Sequence, residues 1–116
     1  MREIQGPEGR WLFTEEAVAS FVAWVAGQVP GVLRVAGEGE GWRPRLGLES
    51  APKGIAVQME KDRCTVTVQV VAKFGVFLPD MARELKKALE EKSRWHLGFP
   101  LDEVEVQVVS VERGFP

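Results

Sequence analysis

The side chains that could bind a transition metal or pair a nucleophile with a base are scarce in this chain. It has one histidine, His96, and one cysteine, Cys64, which lie 32 positions apart (96 − 64) in different predicted elements. A transition-metal site needs several His, Cys or carboxylate ligands at suitable spacing, so we expect none. Cys64 falls in the apolar register of a strand, which favours a buried hydrophobe over a reactive thiol. His96 ends a charged helix, where a cation suits the C-terminal dipole, and this favours a structural role over that of a catalytic base.

The other candidates for catalysis are serines, carboxylate pairs and a glycine-rich run. No nucleophile-elbow motif surrounds any of the serines, which are Ser20, Ser50, Ser93 and Ser110. The carboxylate pairs fall at the ends of predicted elements or on a solvated face, which is typical of surface charge rather than of paired-acid catalysis; they are Glu15 with Glu16, Glu90 with Glu91, and Asp102 with Glu103. The run from Gly37 to Gly41 lacks the spacing of a phosphate loop, and its two glutamates would repel phosphate. The sequence therefore predicts a protein that is not an enzyme and uses no cofactor.

The residues that remain are suited to binding rather than to reaction: Trp24, Trp42, Arg43 and Arg45. Trp24 flanks the small residues of a predicted helix, where it either lets a second copy or a partner approach closely or folds over the edge of its own sheet. Trp42, Arg43 and Arg45 are residue types common in binding hot spots, and they share one loop with Pro44. The alternative for that segment is an ordinary flexible loop.

Composition narrows the class of protein. A chain of 116 residues with 45% hydrophobic residues fits one domain with one core. The net charge of −2 disfavours a nucleic-acid partner, since such domains are usually basic. A single cysteine cannot form an internal disulfide, and the polar start of the sequence has no signal-peptide pattern. Both observations indicate a cytoplasmic protein, and no stretch predicts a transmembrane segment. The absence of Asn is consistent with a thermophilic source.

The predicted elements alternate between helix and strand. After a short strand at 10–13, Thr14 is a good N-cap for a first helix whose apolar stripe recurs at helical spacing; the stripe is Val18, Phe21, Val22, Val25 and Val29. Ala19, Ser20, Ala23 and Gly27 are predicted on its opposite face. A strand at 32–36, a long loop over 37–53 and a hairpin over 55–72 follow.

The second helix begins near Pro79, and its predicted inner stripe is Met81, Leu85, Ala88, Leu89 and Trp95. A final strand spans Val104 to Val111, and its alternation slips near Val108 and Val109, as at a bulge. The order β-α-β-β-β-α-β predicts an α+β two-layer sandwich with both helices on one face of a largely antiparallel sheet. We expect one domain over 1–116, with residues 1–8 flexible.

Several segments together resemble the alkaline shock protein family, small bacterial general-stress and envelope-stress proteins. The segments keep the order and spacing of that family and cover most of residues 9–112; they are Gly9–Thr14, Pro30–Val32, Lys53–Ile55, Phe74–Pro79 and Gly98–Val108. The resemblance implies the same β-α-β-β-β-α-β fold. It also implies a structural or scaffolding role without catalytic residues, and for some relatives a position near the membrane through a partner.

Two functional hypotheses follow. The first is a non-enzymatic stress-associated protein in envelope homeostasis, which associates with itself or with a protein partner, as a homo-oligomer, and takes no small-molecule substrate. The second is a small RNA-associated module that uses the loop from Trp42 to Arg45 for stacking and phosphate contact.

Overall fold

The computed structural model describes residues 2–36 and 54–113. Their elements are β1 (Arg2–Gly6), β2 (Gly9–Phe13), α1 (Glu15–Ala26), β3 (Val32–Val35), β4 (Ile55–Glu60), β5 (Arg63–Lys73), α2 (Leu78–His96) and β6 (Glu103–Glu112). From β2 onward this order matches the predicted β-α-β-β-β-α-β, and the α+β two-layer fold is confirmed. The predicted loop over 37–53 lies outside the described residues.

An additional strand precedes the predicted elements. Residues 2–6, for which the sequence predicted no element, form β1, which pairs antiparallel with β2 in a register that runs from Arg2 opposite Phe13 to Gly6 opposite Gly9. The turn between them carries Pro7 and Glu8, and Gly9 has a φ of 136°, a backbone conformation that glycine adopts without steric cost. This hairpin is a sheet of its own, and Phe13 joins it to the core through an edge-to-face contact with Phe99, at 5.5 Å between ring centroids.

The main sheet is built around β5. On one edge β5 pairs in parallel with β6 over residues 65–73, and on the other it pairs antiparallel with β4 over 63–68 and with β3 over 70–72. The expectation of a largely antiparallel sheet holds for β3 and β4, whereas β6 is parallel. The physical reason is the connection, because α2 spans the length of the sheet and returns the chain to the end at which β5 began.

One position of the sheet is shared by two residues far apart in sequence. Ala36 donates its backbone N–H to the carbonyl of Gln69 (2.8 Å), and Gln69 donates its own N–H to the carbonyl of Gly54 (2.7 Å). Ala36 and Gly54 therefore both stand opposite Gln69. It follows that β3 and β4 are two parts of one strand, and that residues 37–53 are inserted where these parts meet.

Both helices cover the same face of this sheet, as predicted. The side chains of β5 that point toward the helices are fully buried and form one cluster with α1 and α2; they are Cys64, Val66, Val68, Val70 and Ala72. The predicted bulge in the last strand is also present, because the register of β6 against β5 shifts between Val70 and Val71. Asp102 anchors the start of β6, since its carboxylate accepts from Cys64 N (2.6 Å) and its own N–H donates to Cys64 O (2.9 Å).

The helix ends follow their sequence signals, but two predicted faces need correction. The Thr14 hydroxyl accepts from Ala17 N (3.1 Å) and starts α1. Ala19, predicted on the face of α1 opposite the apolar stripe, is fully buried, because its small side chain lets the helix lie close to its neighbours. Trp95, predicted in the inner stripe of α2, is 86% exposed, while Ser93 is buried in its stead and donates to the carbonyl of Glu90 (3.0 Å).

Candidate interaction surface

Of the four predicted binding residues, the structure describes one. Trp24 lies in the second half of α1 and is 53% exposed, with its ring beside those of Phe21 and His96, and its role in binding stays a prediction. Trp42, Arg43 and Arg45 lie outside the described residues, and their role in binding stays a prediction.

Trp24 belongs to a cluster that we call the seam patch, formed by Phe21, Trp24, Lys92 and His96 where α1 and α2 lie side by side. The ring of His96 is 5.9 Å from that of Phe21 and 6.0 Å from that of Trp24, centroid to centroid, and Phe21 and Trp24 are 6.5 Å apart. These distances are typical of aromatic contacts, which favour tilted and edge-to-face arrangements over a flat sandwich. The patch therefore presents aromatic rings that are already held in place.

Lys92 adds a positive charge that fixes the orientation of this patch. Its Nζ lies 5.6 Å from the centroid of the Trp24 ring, within the range of a cation–π interaction, and donates to Gln28 Oε1 at 2.9 Å. The contact with Trp24 joins α2 to α1, and the contact with Gln28 joins α2 to the turn that follows α1. His96 is the last residue of α2, as the sequence predicted. It is exposed and lies beside the two rings.

Trp95 extends the exposed aromatic surface, and sequence reasoning missed it. It follows Lys92 by three residues, so the two side chains lie on the same side of α2. A signal was present in the spacing: Trp95 comes ten residues after Leu85, which at 3.6 residues per turn rotates it about 80° away from the buried stripe. Tryptophan and arginine are enriched at protein interfaces, and here the exposed Trp95 directly follows Arg94.

A groove lies at the other end of α2, where the α1–β3 connection meets the first turns of the helix. It has a volume of about 300 Å³ and is lined by Pro30, Gly31, Val76, Phe77, Asp80, Met81 and Glu84. Gly31 has a φ of 95°, and a Cβ at this position would lie 3.1 Å from Met81 Cγ, so glycine both permits the turn and leaves the groove open. Phe77, at its mouth, is 65% exposed.

The charge around this groove is mainly negative. Asp80 and Glu84 are both exposed, and Asp80 forms an ion pair with Arg83 on the next face of the helix. An apolar floor with carboxylates at the rim suits a large apolar side chain that has a positive charge beside it. Sequence reasoning missed the groove because its lining comes from two segments some 45 residues apart (76 − 31), which only the fold brings together.

Within residues 2–36 and 54–113, no group of three or more His, Cys, Asp or Glu side chains could hold a metal ion. Cys64 is fully buried, as expected. In the same part of the chain, none of the helices is long and apolar enough to cross a membrane.

Comparison with known proteins connects the chain to a family. The model of the alkaline shock protein 23 family, which is described by a cell envelope-related function, matches residues 3–113. No curated protein and no solved structure matches the chain significantly. A family match over nearly the whole chain shows the family, and it agrees with the resemblance to alkaline shock proteins.

Proposed function

We propose that this chain, which belongs to the alkaline shock protein 23 family, is a non-enzymatic structural protein that supports the cell envelope through contacts with other proteins and with copies of itself. The link to the cell envelope comes from the description of the family. The action through protein contacts is our proposal. We further propose that the protein works in the cytoplasm as a stress-associated scaffold and reaches the membrane through a partner.

The observation that carries this proposal is the exposure of Trp24 within an ordered setting. A tryptophan left half in water loses part of the stabilisation of about 1.5–3 kcal/mol that full burial of a large apolar side chain provides. Here Phe21, His96 and Lys92 contact the Trp24 ring at the seam of two helices, and the side chain is still 53% exposed. Rigid aromatic side chains with a nearby cation bind partners with a low loss of conformational entropy.

The test is capture of partners by the tagged protein from the membrane and cytoplasmic fractions of its own cells, each with and without ribonuclease. We expect Trp24→Asp to abolish recovery of envelope proteins because it places a charge at the centre of the seam patch. Leu12→Asp is the matched control, since Leu12 is 52% exposed on the β1–β2 hairpin, outside the seam patch, and receives the same charge.

Three results would contradict the proposal. Equal recovery of envelope proteins by the wild type and Trp24→Asp would show that the seam patch is not the contact. Recovery of RNA-linked material that ribonuclease removes would favour the RNA-associated module instead. A protein that is monomeric and recovers no envelope protein from either fraction would refute the scaffold itself. Circular dichroism of both variants must match the wild type.

A further inference from the structure

We propose that two copies of this chain form a closed dimer in which Trp95 of each copy occupies the groove beside Phe77 of the other. The inference deepens the proposed function and rests on it, because it names the self-contact and the residues that form it. The groove is occupied by a second copy of this chain. The inference is based on the positions of two features along α2: the exposed side chain of Trp95, which we call the donor, and the groove, which we call the acceptor.

The donor and the groove lie on the same side of α2. Glu84, which lines the groove, and Trp95 are 11 residues apart (95 − 84), close to three full turns, so both project in nearly the same direction. Ala88 and Glu91 lie between them at spacings of four, three and four residues. This stripe is distinct from the buried one, and it is exposed at Glu84, Glu91 and Trp95 and half-buried at Ala88.

A molecule cannot fill its own groove with Trp95. Asp80 and Trp95 are separated by 15 residues (95 − 80) of one continuous helix, which corresponds to about 22 Å. Trp95 must therefore reach the groove of another copy. When two α2 helices lie antiparallel on these stripes, each Trp95 meets the other copy's groove at the same time, and the contact closes as a two-fold dimer.

Charge and size agree with this arrangement. Arg94 precedes Trp95 and approaches Asp80 of the facing copy in the antiparallel arrangement, whereas Lys92 keeps its bond to Gln28 of its own chain. Two other charges lie close to the contact: Glu91 is one turn before Trp95, and Arg83 already pairs with Asp80. A groove of about 300 Å³ accepts one large aromatic side chain. Ala88 lies near the middle of the stripe, where a small side chain lets two helices approach closely.

The test uses one variant that lacks the donor and one that lacks the acceptor. Trp95→Ala removes the inserted ring. Phe77→Asp places a carboxylate at the groove mouth, and it suits the fold because Phe77 is the N-cap of α2, a position that favours Asp. Trp11→Ala is the matched control, since Trp11 is 49% exposed on the hairpin.

Sedimentation velocity over a range of concentrations measures the dimer dissociation constant. Each dimer contains two Trp95 contacts, and loss of a buried aromatic anchor weakens binding at least tenfold, so we expect either variant alone to raise the constant by about 100-fold or more. An equimolar mixture of the two variants should recover a 1:1 heterodimer of intermediate affinity, because that pair retains one intact donor and one intact groove. Trp11→Ala should dimerise like the wild type.

Several outcomes would overturn the inference. A wild type that stays monomeric at hundreds of micromolar would do so, as would a dimer that Phe77→Asp leaves unchanged, which would point to stacking of the two Trp95 rings instead. Absence of recovery in the mixture would exclude the reciprocal contact. The proposed envelope role is tested separately, because capture of envelope proteins depends on Trp24 and can succeed when the dimer fails.

Discussion

Deleting residues 37–54 and joining Ala36 directly to Ile55 is expected to leave the protein folded. In the structure Val35 stands opposite Val70, and Ile55 stands opposite Val68, with both Ala36 and Gly54 opposite Gln69. The deletion makes Ala36 the sole partner at that position. Its N–H keeps the bond to Gln69 O, and its carbonyl can accept from Gln69 N in place of Gly54.

The magnitude follows from the closure of the excised segment. Holding together the ends of an 18-residue segment (54 − 36) costs about 2.6 kcal/mol, from (3/2)RT ln n. The deletion removes this cost and conserves both backbone hydrogen bonds. We expect the free energy of unfolding to be unchanged or to rise by up to about 2.6 kcal/mol.

Urea unfolding followed by circular dichroism and tryptophan fluorescence measures this change. The matched control is a deletion one residue longer, 36–54, which joins Val35 to Ile55. That join shifts the register by one and turns Ile55, Val57 and Met59 away from the helices. Since burial of each such side chain is worth about 1.5–3 kcal/mol, the control should lose at least about 4 kcal/mol or fail to fold. A loss above about 2 kcal/mol in the first deletion, or equal behaviour of the two, would refute the continuity of β3 and β4.

Three further predictions test the packing around this sheet. Gly54→Ala should destabilise more than Gly98→Ala: both glycines have a similar positive φ, 75° and 81°, which costs about 1–2 kcal/mol in any L-residue, but a Cβ at Gly54 would overlap the backbone of Ala36 whereas the space at Gly98 is open. Equal losses in urea titrations would contradict the close approach. Asp102→Ala should cost about 1.5–3 kcal/mol, since the N–H of Cys64 loses a charged acceptor, and Asp102→Asn should recover most of it; identical curves for the two variants would exclude this role. Leu85→Ala should cost about 2–5 kcal/mol by calorimetry because Leu85 is fully buried, and a loss below about 1 kcal/mol would place it outside the core.

The local features of the fold could be read from the sequence because their causes are local. Thr14 followed by two glutamates marks the start of α1, and strict alternation marks β4 and β5. The slip near Val108 is visible as a break in that alternation. Each of these signals depends on residues within a few positions of one another, which is why the structure reproduces them.

The pairing of strands depends on information that alternation does not carry. β6 alternates like an antiparallel strand, and only the length of α2 before it indicates that it returns parallel to β5. β1 was missed because its residues are mostly polar, although Gly6, Pro7 and Gly9 together are a turn signal. The candidate surface shows the same difference between local and long-range information. Trp24 could be identified from its small neighbours in the sequence, whereas the groove forms only when folding brings Gly31 and Met81 together.

α2 separates folding from recognition within one element. Its inner stripe of Met81, Leu85 and Leu89 is buried and holds the helix on the sheet, and the exposed stripe that ends at Trp95 contributes little to that packing. Changes at exposed positions away from caps and pairs usually alter stability by less than about 0.5 kcal/mol. The exposed stripe can therefore change its partner while the inner stripe maintains the fold. If a substitution at Trp95 weakens association and leaves the free energy of unfolding unchanged, Trp95 belongs to an interaction surface and not to the core.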